Sequence, residues 1–190
     1  MPTLISGSTG VNKITDGTIV NADIGSSAAI ATTKLGAGAV LQVVEYKKTT
    51  FLTQASNSAW ADISGFSVAI TPAATSSKIL VLVNIVGNTP NLAYIRVLRD
   101  STAVGVGTES GSRVTCTLGP FTKTGDTNTG GAHGSAVFLD SPSTTSATTY
   151  KLQLYCETSN TFYMNRSQDN PDNDTGWNPI SSLILVEVGA

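Results

Sequence analysis

KILVLVNIV, residues 78–86, is the stretch of sequence that decides the fold. Its odd-numbered residues, from Ile79 to Ile85, are all apolar and share one face of a β-strand. The opposite face carries a second apolar set, formed by Leu80, Leu82 and Val86. Because a strand with one face in water alternates apolar and polar residues, this pattern predicts that both faces of the strand are covered.

The segment SLILVEV, residues 182–188, has the same two-faced pattern. In a two-layer sandwich only one face of each sheet contacts the other sheet. We therefore predict that the second face, at Leu80, Leu82 and Val86, contacts another subunit. The alternative is that a long loop of the same chain folds over this face.

Short apolar runs bounded by Gly, Pro, Ser, Thr and Asn continue from Val40 to the end of the chain. They predict strands at 40–46, 49–53, 58–63, 66–71, 78–86, 93–100, 112–119, 135–140, 149–157, 161–165 and 182–188. No segment between them has the periodicity of a helix. This pattern predicts an all-β protein, with residues 39–190 forming an antiparallel β-sandwich of jelly-roll, TNF-like topology.

Residues 1–38 have a different pattern. Between Ile14 and Val40, large apolar side chains recur only every five or six positions, at Ile14, Ile19, Ile24, Ile30, Leu35 and Val40. This spacing keeps no single stripe on a helix, and six such side chains cannot offset the entropy of ordering the backbone between them. We predict an extended assembly arm that binds sister subunits or another protein; the alternative is a disordered tail.

The charge of the chain is low and evenly spread. Charged residues make up 13% of the 190 residues, the formal net charge is -2, and Lys and Arg are scattered, with Lys47 and Lys48 the one adjacent pair. This distribution argues against nucleic acid and membrane surfaces as partners. The first residues lack the features of a signal peptide, so we expect a soluble product synthesised in the cytoplasm.

Residues suited to catalysis are few. His133 is the only histidine, and neither a multi-histidine metal site nor a catalytic motif is present in the sequence. The two cysteines, Cys116 and Cys156, fall on the apolar faces of predicted strands and are expected to be small core residues. We expect a protein without enzymatic activity and without a cofactor.

The loop SQDNPDNDTGWNP, residues 167–179, is the best candidate for a ligand site. Asp172 and Asp174 carry oxygens that suit Ca²⁺, although the glycine and glutamate of an EF-hand loop are not at the required positions. Trp177 is suited to stacking on a sugar. The alternative is a solvated loop that Trp177 anchors.

The segment KITDGTIVNADIGSSAAIATTKLGAGAVLQVV resembles the entry sequence of β-rich structural proteins of tailed bacteriophages, especially those of cyanobacterial and marine hosts. The blocks VFLDSPSTTSATTYKLQL, FYMNRS and SSLILVEVGA resemble the head domains of their tail-fibre-like proteins. The resemblance covers about half of the chain and implies a non-enzymatic virion component, usually a homotrimer.

A tail fibre is expected to have an anchoring domain and a long shaft, whereas only about forty residues precede the predicted sandwich. The expectation is therefore a capsid decoration or cement protein on the virion exterior, which binds the major capsid protein or another virion protein. The alternative is a short tail-fibre or receptor-binding tip that recognises a host-surface glycan.

Overall fold

The structure, a computed structural model, describes residues 35–122 and 129–190. These residues are all-β and contain no helix. Their strands are β1 (Val40–Lys48), β2 (Leu52–Asn57), β3 (Ala61–Ile70), β4 (Lys78–Asn88), β5 (Ala93–Arg99), β6 (Thr102–Val104), β7 (Leu118–Phe121), β8 (Ala132–Asp140), β9 (Thr148–Cys156), β10 (Ser159–Met164) and β11 (Ser181–Val188). The prediction of an all-β protein is confirmed.

The strands form two antiparallel sheets. The first sheet has the order β1-β11-β4-β10-β2, and β8 also pairs with β4. The second has the order β3-β9-β5-β6, and β7 also pairs with β5. In the first sheet, β4 pairs with β11 and then briefly with β10 along one edge, and with β8 along the other.

One hydrophobic core takes side chains from both sheets. The odd-numbered residues of β4, from Ile79 to Ile85, are at most 2% exposed, as the period of two predicts. From the second sheet, Ile95, Leu152 and Leu154 are fully buried in the same core. The central strand of each sheet therefore has one entire face inside the core.

The predicted strands at 58–63 and 66–71 form parts of a single strand, β3. Between Asp62 and Ser67 the pairing advances five positions on β3 but only two on β9. This irregularity in β3 is the reason that the sequence shows two separate apolar runs instead of one. Gly65, within this irregularity, has a φ of +69°, which glycine adopts without strain. The run at 49–53 is likewise displaced, since β2 begins only at Leu52.

The prediction of a strand at 112–119 is wrong over most of its length, because β7 begins at Leu118. The chain before β7 runs beside β5 with isolated hydrogen bonds instead of a ladder. The amide of Thr117 donates to the carbonyl of Ile95, and its Oγ1 accepts from the amide of Val97. A side-chain oxygen thus takes the place of a backbone acceptor, which the apolar pattern did not reveal.

A partly buried polar cluster joins the two sheets. Asp140, at the end of β8 in the first sheet, accepts a hydrogen bond from Tyr150 Oη of β9 at 2.6 Å. Arg99 Nη1 of β5 donates to both carboxylate oxygens of Asp140, at 2.7 and 2.8 Å. Because each member has a partner of opposite charge or matching hydrogen-bonding role, the cluster holds the sheets together without an unsatisfied buried group.

The carboxylate of Glu187, on β11, is fully inaccessible. Its oxygens accept hydrogen bonds from Gln42 Nε2 at 2.5 Å and from the backbone amide of Ala73 at 2.6 Å. Burial alone raises the pKa of Glu187, but the donors outweigh that effect and hold the pKa below its ordinary value. Gln42 Nε2 also donates to the carbonyl of Thr71, so Glu187 and Gln42 together secure the segment that follows β3.

We expect Glu187→Gln to lower the free energy of unfolding at pH 7 by about 1–3 kcal/mol. The side-chain NH₂ of the new glutamine would lie against either Gln42 Nε2 or the amide of Ala73, and that donor would lose its acceptor. Because the folded-state pKa is depressed, the stabilisation by Glu187 is fully present above its unfolded pKa and is lost as the pH falls through the folded value. The difference in the free energy of unfolding between the wild type and Glu187→Gln should therefore be smaller at about pH 3 than at pH 7. Urea denaturation at both pH values measures it.

Glu45→Gln is the matched control, since Glu45 is exposed on the neighbouring strand β1. A surface substitution of this kind is expected to change stability by no more than about 0.5 kcal/mol. A difference for Glu187→Gln that is independent of pH would contradict the assignment of a charged, hydrogen-bonded Glu187.

Candidate functional site

The residues predicted for a subunit interface, Leu80, Leu82 and Val86, all lie on β4 and face away from the core. All three are half-buried, whereas the odd-numbered residues beside them are buried. Their partial cover comes from neighbouring strands of the same sheet, since β4 is central. The described residues place no long loop over them that would bury them fully.

Apolar side chains continue from β4 across the first sheet in two rows. The first row crosses four strands and consists of Val43, Val186, Leu80 and Leu139. The second consists of Ile184, Leu82 and Val137. Residues opposite one another in an antiparallel sheet have Cβ atoms about 4.5–5.5 Å apart, so these seven side chains form one continuous surface, here called the outer apolar face.

Three members of the outer apolar face are strongly exposed. Val43 is 58%, Val137 is 64% and Leu139 is 63% accessible. On the outer surface of the second sheet, by contrast, the described residues include no large aliphatic side chain that is exposed to this degree. Contiguous exposed apolar surface of this kind marks a contact site in proteins.

Polar and charged residues border the outer apolar face. Glu45 and Lys47 lie on the exposed face of β1, beside Val43. At one end, Asn84 lies between Ser182 and Ser135 across the sheet, and its side chain contacts that of His133. An apolar centre with a polar rim of both charges has the organisation of a protein interface.

Sequence reasoning found the part of this surface on β4 and β11 but missed Val137 and Leu139. The signal was present in AVFL, residues 136–139, where Ala136 and Phe138 face the core and the alternate residues are also apolar. The two-faced pattern of β4 therefore extends to its neighbour β8.

Most of the predicted arm lies outside the described residues, and this includes Ile14, Ile19, Ile24 and Ile30. Leu35, the first described residue, is 43% exposed. Val40 is the first residue of β1 and pairs with Val188 of β11. The last of the predicted arm residues is thus a residue of the first sheet, on the same side as Val43.

The predicted ligand loop leaves Asp172 and Asp174 exposed. Trp177 is half-buried, and its Nε1 donates to the carbonyl of Thr129 at 2.7 Å. Its ring lies against Gly131 so closely that a Cβ at this position would overlap it. The contacts of Trp177 thus tie this loop to the segment before β8.

Metal-binding and reactive groups are sparse in residues 35–122 and 129–190. No group of three or more His, Cys, Asp or Glu side chains in these ranges has the geometry to hold a metal ion. Cys156 is buried and Cys116 half-buried, and burial raises the pKa of both thiols, that of Cys156 to about 11. Thiols with raised pKa values are poor nucleophiles at neutral pH.

No protein-family model matches the chain, and no curated protein matches it either. In the part of the chain that the structure describes, no helix has the length and apolar character needed to cross a lipid bilayer. The candidate site is the outer apolar face, and it is identified by its surface chemistry alone.

We expect Trp177→Ala to lower the free energy of unfolding by about 1–3 kcal/mol, because it removes a hydrogen bond and the ring that packs on Gly131. Chemical denaturation measures the change. Asp174→Ala, an exposed substitution in the same loop, is the control and should change stability by less than about 0.5 kcal/mol. Equal stability of the two variants would contradict an anchoring role for Trp177.

Proposed function

We propose that the two sheets form a β-sandwich with jelly-roll, TNF-like topology. The support is a nested set of strand pairs: β1 with β11, β3 with β9, β4 with β8, and β5 with β7. A long antiparallel hairpin has this nesting, and rolling it up adds the pairs β11 with β4 and β9 with β5. In this interpretation β2, β6 and β10 are additions to the eight strands of the roll.

The proposed function is assembly: the chain forms a homotrimer in which the outer apolar face of one copy packs against another copy. The observation that carries this proposal is the continuity of seven apolar side chains across four strands. Burying an exposed valine or leucine contributes about 1.5–3 kcal/mol, and Val43, Val137 and Leu139 are the members with most surface left to bury.

A second copy suits this surface better than an unrelated partner because its rim carries both charges. Glu45 and Lys47 are two positions apart on the same face of β1, so Glu45 of one copy is able to pair with Lys47 of the next copy around a threefold axis. The core of the surface is uncharged, as the centres of subunit interfaces are.

The proposed setting is the exterior of a bacteriophage virion, where the trimer is a non-enzymatic decoration or cement protein. This setting is supported by the resemblance of the sequence blocks to phage structural proteins. The arm, with its widely spaced isoleucines, is the proposed contact with the major capsid protein. A short tail-fibre tip is the second setting.

For the assembly proposal, we expect the full chain to be a trimer and the double variant Val137→Glu/Leu139→Glu to be a folded monomer. The two positions are over 60% exposed, so the substitutions cost little within one copy but bury charges in an interface. Native mass spectrometry at micromolar concentration gives the subunit number, and circular dichroism confirms folding.

Ala69→Glu is the matched control, since Ala69 is exposed on β3 of the second sheet. This variant should remain trimeric. A monomeric wild-type chain, or a double variant that stays trimeric, would sink the proposal that the outer apolar face joins copies.

For the virion proposal, quantitative mass spectrometry of purified particles should count about one copy for every one to few capsid subunits. A handful of copies, in multiples of three, would place the protein on the tail. We expect Ile24→Asp to lower the occupancy on particles several-fold while the β-domain stays folded. Unchanged occupancy would exclude the arm as the attachment, and absence from particles would refute the virion setting.

A further inference from the structure

The outer surface of the second sheet carries a row of three aromatic side chains. Trp60, directly before β3, has its ring 5.5 Å from that of Tyr155 of β9, and Tyr94 of β5 follows at 6.2 Å. All three are half-buried. The chain has only two tryptophans and five tyrosines, so this one surface holds three of those seven residues.

A row of hydrogen-bonding side chains lies beside the aromatic row, two residues along each strand. It consists of Asp62, Gln153 and Arg96, which are opposite one another on β3, β9 and β5. Gln153 Oε1 accepts from Arg96 Nε at 2.9 Å and from Nη2 at 2.7 Å, and Gln153 Nε2 donates to Asp62 Oδ1 at 2.7 Å. The side chains of this row are therefore held in fixed orientations before any ligand arrives.

The two rows are joined at Arg96. Its guanidinium lies over the ring of Trp60, 4.3 Å from the ring centre, in cation–π geometry. This stacking covers one face of Trp60, so the rings of Tyr155 and Tyr94 supply the accessible aromatic surface. Trp60 acts as a positioning residue for the guanidinium.

Of the two charged residues in the polar row, Asp62 has a partner of opposite charge and Arg96 bonds to a neutral one. Asp62 is paired with Lys151 Nζ at 2.7 Å, and this hydrogen bond is the main cause that lowers the pKa of Asp62. Arg96, by contrast, makes both of its bonds to a neutral amide, and these bonds leave Nη1 unused. Partial burial lowers the pKa of Arg96, which indicates that its cation is incompletely hydrated. A carboxylate on a ligand would complement this charge.

We propose that this surface is a binding site for saccharides that carry a carboxylate, such as uronic or sialic acid residues. The C–H face of the sugar ring packs on Tyr155 and Tyr94, and its carboxylate accepts from Arg96 Nη1. Asp62 is exposed beside the same aromatic rings, and its carboxylate supplies acceptors for ring hydroxyls. The proposal is independent of self-assembly, because the site and the outer apolar face belong to different sheets.

The test is isothermal titration of the full chain with three carboxylated probes, trigalacturonate, a glucuronate trisaccharide and 3′-sialyllactose, and with the neutral galactotriose. We expect at least one acidic probe to bind at millimolar concentration or better and the neutral probe to bind at least tenfold more weakly. Arg96→Gln should weaken the acidic probe at least tenfold. Arg113→Gln is the matched control, since Arg113 is exposed and its guanidinium donates to Ser110, three residues earlier in the chain.

A substitution at Glu157 should strengthen the binding of an acidic probe, whereas Arg96→Gln should weaken it. It is exposed, and its negative charge acts on Tyr94, whose pKa is raised first by burial and then by Glu157. Glu157→Gln removes a charge that repels an acidic ligand, and it should tighten binding two- to threefold at low salt. A role of these residues in sheet stability alone would predict no such gain.

Tyr155→Ala should abolish binding, and thermal unfolding shows whether that variant folds. If it does not fold, the opposite effects of Arg96→Gln and Glu157→Gln still decide the question. Failure of all three acidic probes to bind overturns the proposal, and so does equal binding of the neutral probe. The variant Val137→Glu/Leu139→Glu should bind the acidic probe as the wild type does, which separates this result from a failure of the assembly proposal.

Discussion

The central position of β4 is the constraint on which the rest of the structure depends. This strand pairs with β11 and β10 on one edge and with β8 on the other, so its backbone hydrogen bonds are satisfied within the first sheet. Its odd-numbered residues are buried in the shared core. Because the period of a strand is two, the same backbone carries Leu80 and Leu82 to the opposite surface, where Val137 and Leu139 of β8 extend them.

Polar ties between the sheets complement the apolar core. The cluster of Asp140, Tyr150 and Arg99 joins β8 to β9 and β5, and Glu187 with Gln42 holds the segment after β3. Asn165 adds a tie within the first sheet, since its side chain donates to the carbonyls of Lys48 and Thr50 and accepts from Ser181 Oγ. Groups of this kind specify how the elements fit together, because any displacement leaves a buried polar atom without a partner.

With the inner faces committed to one core, the two outer faces have distinct chemistry. The first sheet presents aliphatic side chains with a charged rim, which suits contact with another protein. The second presents tyrosines beside fixed polar side chains, which suits a small ligand that needs both stacking and directed hydrogen bonds. A protein that assembles through one sheet would leave the other available to solvent, so the two proposals are compatible within one chain.

The alternation of apolar residues determined much of this protein locally. It was enough to predict an all-β chain, the positions of β4, β5, β9 and β11, and a second apolar face of β4 at Leu80 and Leu82, because side-chain direction in a strand depends only on position along it. The apolar pattern predicted a strand before β7 that does not form. There the side-chain Oγ1 of Thr117, instead of a backbone carbonyl, accepts the hydrogen bond from the amide of Val97 on β5.

Only the tertiary structure decided which residues meet across strands. Trp60, Arg96 and Tyr155 are separated by tens of residues in the sequence, and nothing in their own segments distinguishes them from ordinary strand residues. They form one site because β9 lies between β3 and β5, and this strand order is set by long-range pairing and by the core that both sheets share. The outer apolar face arises in the same way, since its rows exist only in the register that joins β1, β11, β4 and β8.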